Sequence, residues 1–226
     1  MMRIDMNVKL INYSQSPEGM NLLEQVAFAA RVSNPSNQNN MDTAEKLVRY
    51  LIKHQHWSPL EMVSLCLEIE TTRDIARQIL RHRSFSFQEF SQRYADPTKE
   101  LHFETREARF QDLKNRQNSI EIDTNDEANR LLGIEWERAQ KRVLFAVEKE
   151  YKWAIANGIA KEQARSILPE GNTASRLYMN GTLRSWVHYI QLRSGNGTQK
   201  EHQDIAIAAA KAIEPIFPMI MEYVNV

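Results

Sequence analysis

The chain has 226 residues, enough for one large domain or two small ones and for a buried core. Its 29 Lys and Arg balance 29 Asp and Glu, so no overall field draws it to nucleic acid or an anionic membrane, and any anion must be caught by local clustering. A single cysteine excludes an internal disulfide, no run approaches the ~18 apolar residues of a membrane span, and the opening MMRIDMNVKL has no signal-peptide core, so a cytoplasmic protein is expected.

The alternation in VKLINYS predicts a strand over 8–14. In the SPEGMNLLEQVAFAARVS that follows, Ser16 is the expected helix N-cap, with Pro17 at the first helical position. SNPSNQNNMD is a loop of turn-formers. Asp42 and Glu45 then form a capping-box pattern for a helix, TAEKLVRYLIKHQ, that HWSP ends. MVSLCLEIE has a period of two, with Val63, Leu65, Leu67 and Ile69 on one face and Ser64, Cys66, Glu68 and Glu70 on the other. Thr72 is the expected cap of RDIARQILRH, where Arg73, Arg77 and Arg81 form a stripe roughly opposite Ile75 and Ile79.

After a polar stretch, TNDEANRLLGIEWERAQKRVLFAVEKEYKWAIANG predicts one long helix, opened by Thr124 and Glu127 and closed at Asn157-Gly158. A helix of that length spans the whole domain or reaches a neighbouring subunit. KEQARSIL, broken by Pro169, is a further helical piece, and TLRSWVHYIQLR and TQKEHQDIAIAAAKAIEPIF are two more, separated by SGNG. With no internal repeat or linker, residues 1–226 read as a single α+β domain.

RHRSFSFQEFSQRY, residues 81–94, is the local anomaly: Arg81, His82, Arg83 and Arg93 crowd one short stretch. Arginine's planar fork suits phosphate or carboxylate. In an extended QEFSQRY, Glu89, Ser91 and Arg93 would project from one side, an arrangement able to hold a sugar hydroxyl and a phosphate together. Phe85, Phe87 and Phe90 are expected in the core. A second cluster places Arg184, His188 and Gln191 on nearby helical positions, with Arg193 at the helix end before Gly195 and Gly197. The helix dipole would account for Arg193 but not for Arg184. Arg165 is a third, isolated cation before a turn.

His54, His56 and His82 do not make a metal site, since there is no HExxH and no Cys/His pair. Cys66, on an alternating strand without a nearby histidine, is a packed thiol. Without GxGxxG or GxxxxGK[ST] loops, a flavin or nucleotide must be held by side chains.

RHRSFSFQEFSQRY resembles the signature of flavin-dependent thymidylate synthases, RHRxxSxNExSxRY. HQHWSPLEM resembles that family's HxxSPxEH segment, QARSILP its arginine before Leu-Pro, and TLRSWVHYIQLR…TQKEH its NxRxLxHFxxLR…AQxEI segment, in the right order from about residue 54 to 205. The resemblance implies an α+β fold with a mainly antiparallel sheet flanked by helices, and a homotetramer with active sites at subunit junctions. It implies reductive methylation of dUMP, with 5,10-methylenetetrahydrofolate as carbon donor and FAD, recharged by NADPH, as hydride source.

By matching positions, Gln78 and Arg81 meet dUMP from one subunit, while Glu89, Ser91, Gln92 and Arg93 hold its sugar and phosphate from another, with Arg165 on the phosphate. Arg193 matches the arginine at the pyrimidine. Ser58, Arg81, His82, Arg83, Glu89, Thr182, Arg184 and His188 match FAD contacts, and His56 a histidine close to the reacting centre. Gln88, Met62, Thr182 and His188 depart from the residues usual at their positions. The alternatives are a nucleic-acid-binding module built on the arginine stripe, which zero net charge argues against, and an inactive homologue disabled by these departures.

Overall fold

The computed structural model describes residues 7–225; the first six residues of MMRIDMNVKL lie outside it, as does Val226. In chain order the elements are β1 (Val8–Tyr13), α1 (Leu22–Ala30), α2 (Ala44–Lys53), β2 (Ser64–Thr72), α3 (Arg73–Ile79), β3 (Phe85–Glu89), α4 (Pro97–Glu100), β4 (Arg109–Gln111), β5 (Ser119–Glu121), α5 (Glu127–Ala156), α6 (Lys161–Ala164), β6 (Ala174–Thr182), α7 (Leu183–Arg193) and α8 (Lys200–Ile213). Short 3-10 turns include Ser58–Glu61 and Arg165–Ile167.

Four strands form an antiparallel sheet in the order β1-β2-β6-β3, and β4 pairs with β5 as a separate hairpin. The fold class is the one expected. The alternation of β2 holds: Leu65, Leu67 and Ile69 are buried beneath α7 and α8, with Leu177 and Met179 of β6 beside them in the same core. α3 and α7 each begin on the residue after a strand ends, with Thr72 and Thr182 at the N-cap positions; Thr182 caps with its side chain, while the Thr72 hydroxyl donates to Asp74 instead. β2 and β6 run in opposite directions, so these two helices leave opposite ends of the central strand pair.

Phe85 pairs with Gly181, and its ring lies over that glycine so closely that a Cβ there would sit 2.4 Å from it. Phe85 thereby reaches the buried Trp186, edge-on at 4.9 Å. Phe85 is in the core as expected; Phe87 and Phe90 are only half-buried.

Three caps differ from the sequence reading. Asn21, in a capping box with Glu24, opens α1, so Ser16 and Pro17 stand outside the helix. Thr43 rather than Asp42 precedes α2 and makes no side-chain cap: its hydroxyl accepts from Arg31 at 2.7 Å, and Glu45 pairs with Arg49 one turn on. Asp126, accepting from the Asn129 amide, opens α5 in place of Thr124. The C-terminal stop is as expected, with Asn157 at the cap and Gly158 at φ 77°. α5 has 30 residues, about 45 Å of helix. It buries Gln140, Leu144, Tyr151 and Ala154 and leaves Leu131, Leu132, Trp136, Val143, Phe145 and Trp153 exposed.

Candidate active site

The arginine stripe of α3 divides in two. Arg73 is buried and paired with Glu170 and Glu89, and Arg77 grips Glu170 at 2.7 Å. These two clasp the loop after Pro169 and are engaged by the protein itself. Arg81 and Arg83, beyond the helix end, are exposed, and among the described residues neither finds a carboxylate.

Arg193, at the last turn of α7, donates from Nε to Nε2 of His82 at 2.9 Å. Burial, then the charges of Arg193 and Arg81, push the His82 ring down to about 4, so it is neutral at pH 7 with Nε2 as acceptor. Its edge meets Tyr189 at 5.0 Å. Two residues on, the Ser84 carbonyl accepts from the Ser185 hydroxyl in the first turn of α7. Residues 82–84 therefore run along α7 from its end to its start, with Arg83 between.

On α7 itself, Arg184 and His188 are half-buried and Gln191 is exposed, along one line as expected. Arg184 pairs with Glu61 through Nη1, while its buried Nε has no hydrogen-bond partner. His188 packs against Trp57 with ring centres 4.2 Å apart, and burial followed by the Arg184 charge lowers its proton affinity. Thr182 accepts from the Ser185 amide. Ser58 is exposed next to Trp57, as is His56 on its other side. His56 follows a Schellman turn, in which its amide donates to the Leu51 carbonyl and that of Gln55 to Ile52, with Gln55 at φ 59°.

The second half of the signature stands apart. β3 ends at Glu89, and residues 91–94 turn, the Tyr94 and Ala95 amides donating to the Ser91 carbonyl. Glu89, Ser91 and Arg93 thus do not share one face of a strand, a correction caused by this turn. Glu89 accepts from Ser175 at 2.9 Å and faces Arg73. Gln92 is 4% exposed, and its Nε2 has no partner. Arg93 pairs with the Glu162 carboxylate at 3.3 Å, and Arg165 donates to the Glu162 carbonyl. Two cations far apart in sequence meet at α6. The five residues of β3 hold the two halves of the signature about 13 Å apart.

Gln78 joins a buried network. Its Nε2 donates to Gln199 at 2.8 Å, and its Oε1 faces His202 at 3.3 Å. His202 was not singled out in the sequence. It stands at the isoleucine of the AQxEI pattern, on the apolar stripe of α8 with Ile205, Ala206 and Ala209, and a histidine on such a stripe was the available signal. A cleft of about 770 Å³ lies between the β4–β5 hairpin, α5 and the start of α8, bounded by Arg106, Arg109, Arg116, Trp136, Gln199 and Lys200. It touches this network at Gln199 but is lined by none of the expected dUMP or flavin residues.

Residues 9–219 match the family model described as "Thymidylate synthase complementing protein". The chain is 50% identical over 206 residues to "Flavin-dependent thymidylate synthase" of Synechocystis, spanning 91% of this chain and 88% of the relative. The chain belongs to the flavin-dependent thymidylate synthase family. A viral member, "Probable flavin-dependent thymidylate synthase" of Paramecium bursaria Chlorella virus 1, is 48% identical over 220 residues, 95% of this chain and 97% of the relative. Among solved structures, the UMP/dUMP methylase PolB of Streptomyces cacaoi bound with 5-Br dUMP is similar with TM-score 0.77 and 26% identity, over 98% of this chain and 95% of that one.

Proposed function

We propose that this protein methylates dUMP to dTMP reductively, with 5,10-methylenetetrahydrofolate as carbon donor, FAD as the flavin and NADPH as reductant. The observation that carries this reading is Arg193 docked by Nε on neutral His82, beside the unpaired Arg81 and Arg83, in a chain of this family.

Docked in that way, Arg193 keeps both Nη groups without protein partners among the described residues. Its fork meets the uracil edge at O4 and N3, where a cation favours the N3-deprotonated base and raises electron density at C5. Gln78 and Arg81 position the ring from the same subunit. Burial raises the proton affinity of the Cys66 thiol, and Cys66 pairs with Asn180 on the sheet face away from the core, so C5 is activated by charge and not by a sulfur adduct. Ser91 is a ligand, with no base at hand to make it a nucleophile.

The residues present fit a flavin: the orphaned Nε of Arg184, the unpaired Arg83 and Arg81, and the caps and rings along α7 offer donors to an anionic, heteroatom-rich ligand. Ser58, Arg81, His82, Arg83, Thr182, Arg184 and His188 would hold it, with Glu89 reaching it from another copy, and His56 supporting the reacting centre. Bound there, reduced flavin supplies the hydride.

Glu89, Ser91, Gln92, Arg93 and Arg165 take the sugar and phosphate. Lying at the far end of β3 from Arg81, they serve the site of a neighbouring subunit, and the bare apolar side of α5 supports such assembly as a homotetramer. We read residues 1–226 as one domain per subunit, cytoplasmic, with no nucleic-acid or membrane partner. Met62 is exposed, Gln88 lies on the outward face of β3, and Thr182 still caps α7, which supports an active protein over an inactive homologue.

Incubating the purified, FAD-loaded protein with dUMP, 5,10-methylenetetrahydrofolate and NADPH tests the reading. dTMP formation that requires all three is expected. A protein that stays colourless after FAD is added, and makes no dTMP, overturns it.

A further inference from the structure

Gln78 belongs to a continuous chain of side-chain hydrogen bonds through the core between α3, α7 and α8. Tyr189 Oη meets His202 Nε2 at 3.1 Å, and His202 Nδ1 meets Gln78 Oε1 at 3.3 Å. Gln78 Nε2 donates to Gln199 Oε1 at 2.8 Å, and Gln199 Nε2 to Glu201 Oε2 at 2.9 Å. The other Glu201 oxygen takes the Arg109 guanidinium. His202 is 0% and Tyr189 1% exposed, so water does not stand between these two, while Gln78 and Gln199 are half-buried.

The far end sets the direction of every bond. Glu201, paired with Arg109, only accepts, so Gln199 must turn its amide NH2 to Glu201 and its carbonyl to Gln78. Gln78 must then give an N–H to Gln199 and face His202 with its carbonyl oxygen. An acceptor opposite Nδ1 requires the proton on Nδ1. The ring is neutral, since burial and the charges of Arg193, His82 and Arg81 push it down to about 3. Nε2 is therefore bare and takes the Tyr189 O–H. Gln78 is left with one N–H that no protein group among the described residues accepts.

We propose that His202 is a positioning residue for the nucleotide: with Tyr189 it locks the Gln78 amide in the orientation that turns its free N–H to a uracil carbonyl. This rests on the reading that Gln78 meets dUMP. Were the amide reversed, its oxygen would face the carbonyl and repel it. An apolar side chain at 202 would leave the buried Tyr189 hydroxyl without its partner and the half-buried Gln78 amide free to turn over.

Two measurements test this. In the ligand-free protein with 15N-labelled histidine, NMR is expected to show His202 with Nδ1 protonated and Nε2 bare at neutral pH; the opposite tautomer or an imidazolium overturns the relay whatever dUMP does. dUMP titrations then compare the parent with His202→Leu and His202→Asn, the latter keeping a donor near Nδ1. We expect His202→Leu to weaken dUMP about tenfold with turnover at saturating dUMP changed much less, and His202→Asn to recover most of the loss. Unchanged dUMP affinity in His202→Leu, or equal loss in both variants, overturns the positioning role. A parent protein that binds no dUMP overturns the substrate reading itself, and with it this use of the relay, while the tautomer result remains its own test of the network.

Discussion

Arg193 and His82 meet through a single hydrogen bond, Nε to Nε2 at 2.9 Å, that ties the last turn of α7 to the second residue of the signature. That bond spends one donor of the guanidinium and leaves the fork of the other two nitrogens for a ligand.

If Arg193 activates the base, its loss must show mainly in the chemical step. Arg193→Ala is expected to cut single-turnover dTMP formation about a hundredfold while dUMP affinity changes far less. Equal losses in rate and affinity would reduce Arg193 to a binding group.

His82 and His202 make stability depend on pH. Their folded values, about 4 and about 3, lie below the ordinary 6.5. As pH falls past about 6.5 the unfolded chain takes up both protons and the folded chain does not, so stability falls until about pH 3–4 and then levels off with respect to these groups. Urea midpoints are expected to be lower at pH 5 than at pH 7.5, with a shallower dependence in His202→Asn. A midpoint that rises toward acid would contradict the neutral, buried rings.

Gly181 is required by the ring of Phe85, which would lie 2.4 Å from any Cβ there. Gly181→Val is expected to cost about 2–3 kcal/mol in chemical denaturation. Shrinking the ring should interact with it: Phe85→Leu should be less harmful in Gly181→Val than in the parent. Simple additivity would mean that the strands part instead of clashing.

Gln55 holds the left-handed position of the Schellman turn that delivers His56, at φ 59°. Gln55→Gly is expected to stabilise the protein by about 0.5–1 kcal/mol, and Gln55→Ala to give no gain. A stabilising alanine would show that the Gln55 side chain, not its backbone, is the source of strain.

The longer helices and β2 are legible because their apolar residues recur at helical spacing or in alternation: Leu65, Leu67 and Ile69 mark one face without interruption, whereas α4, PTKE, has no such spacing. β6 was not read at all. Its inward positions hold Ser175, Leu177, Met179 and Gly181, and a serine and a glycine erase the pattern while the sheet still needs them, one for Glu89 and one for Phe85. The β4–β5 hairpin, three residues a side, is too short for periodicity to register. Caps went wrong where several candidates stand in a row, as in TNDE, since only geometry selects Asp126 over Thr124.

Of the site, the signature marks Arg81, His82 and Arg83 and the separate TLRSWVHYIQLR segment marks Arg193, and the structure joins His82 to Arg193. The turn at 91–94 was hidden because alternating Glu89, Ser91 and Arg93 suit a strand equally well. His202 was hidden because a buried histidine declares itself only through its partners, Tyr189 and Gln78, which lie 13 and 124 residues away.

Because β3 keeps the two halves of the signature apart, the proposed dUMP site draws them from separate copies of the chain. Mixing two inactive variants, Arg193→Ala and Arg93→Ala, under conditions of verified subunit exchange tests it most directly. dTMP formation is expected to reappear, since one composite site then holds both native halves. Exchange without any recovery of dTMP formation would contradict it.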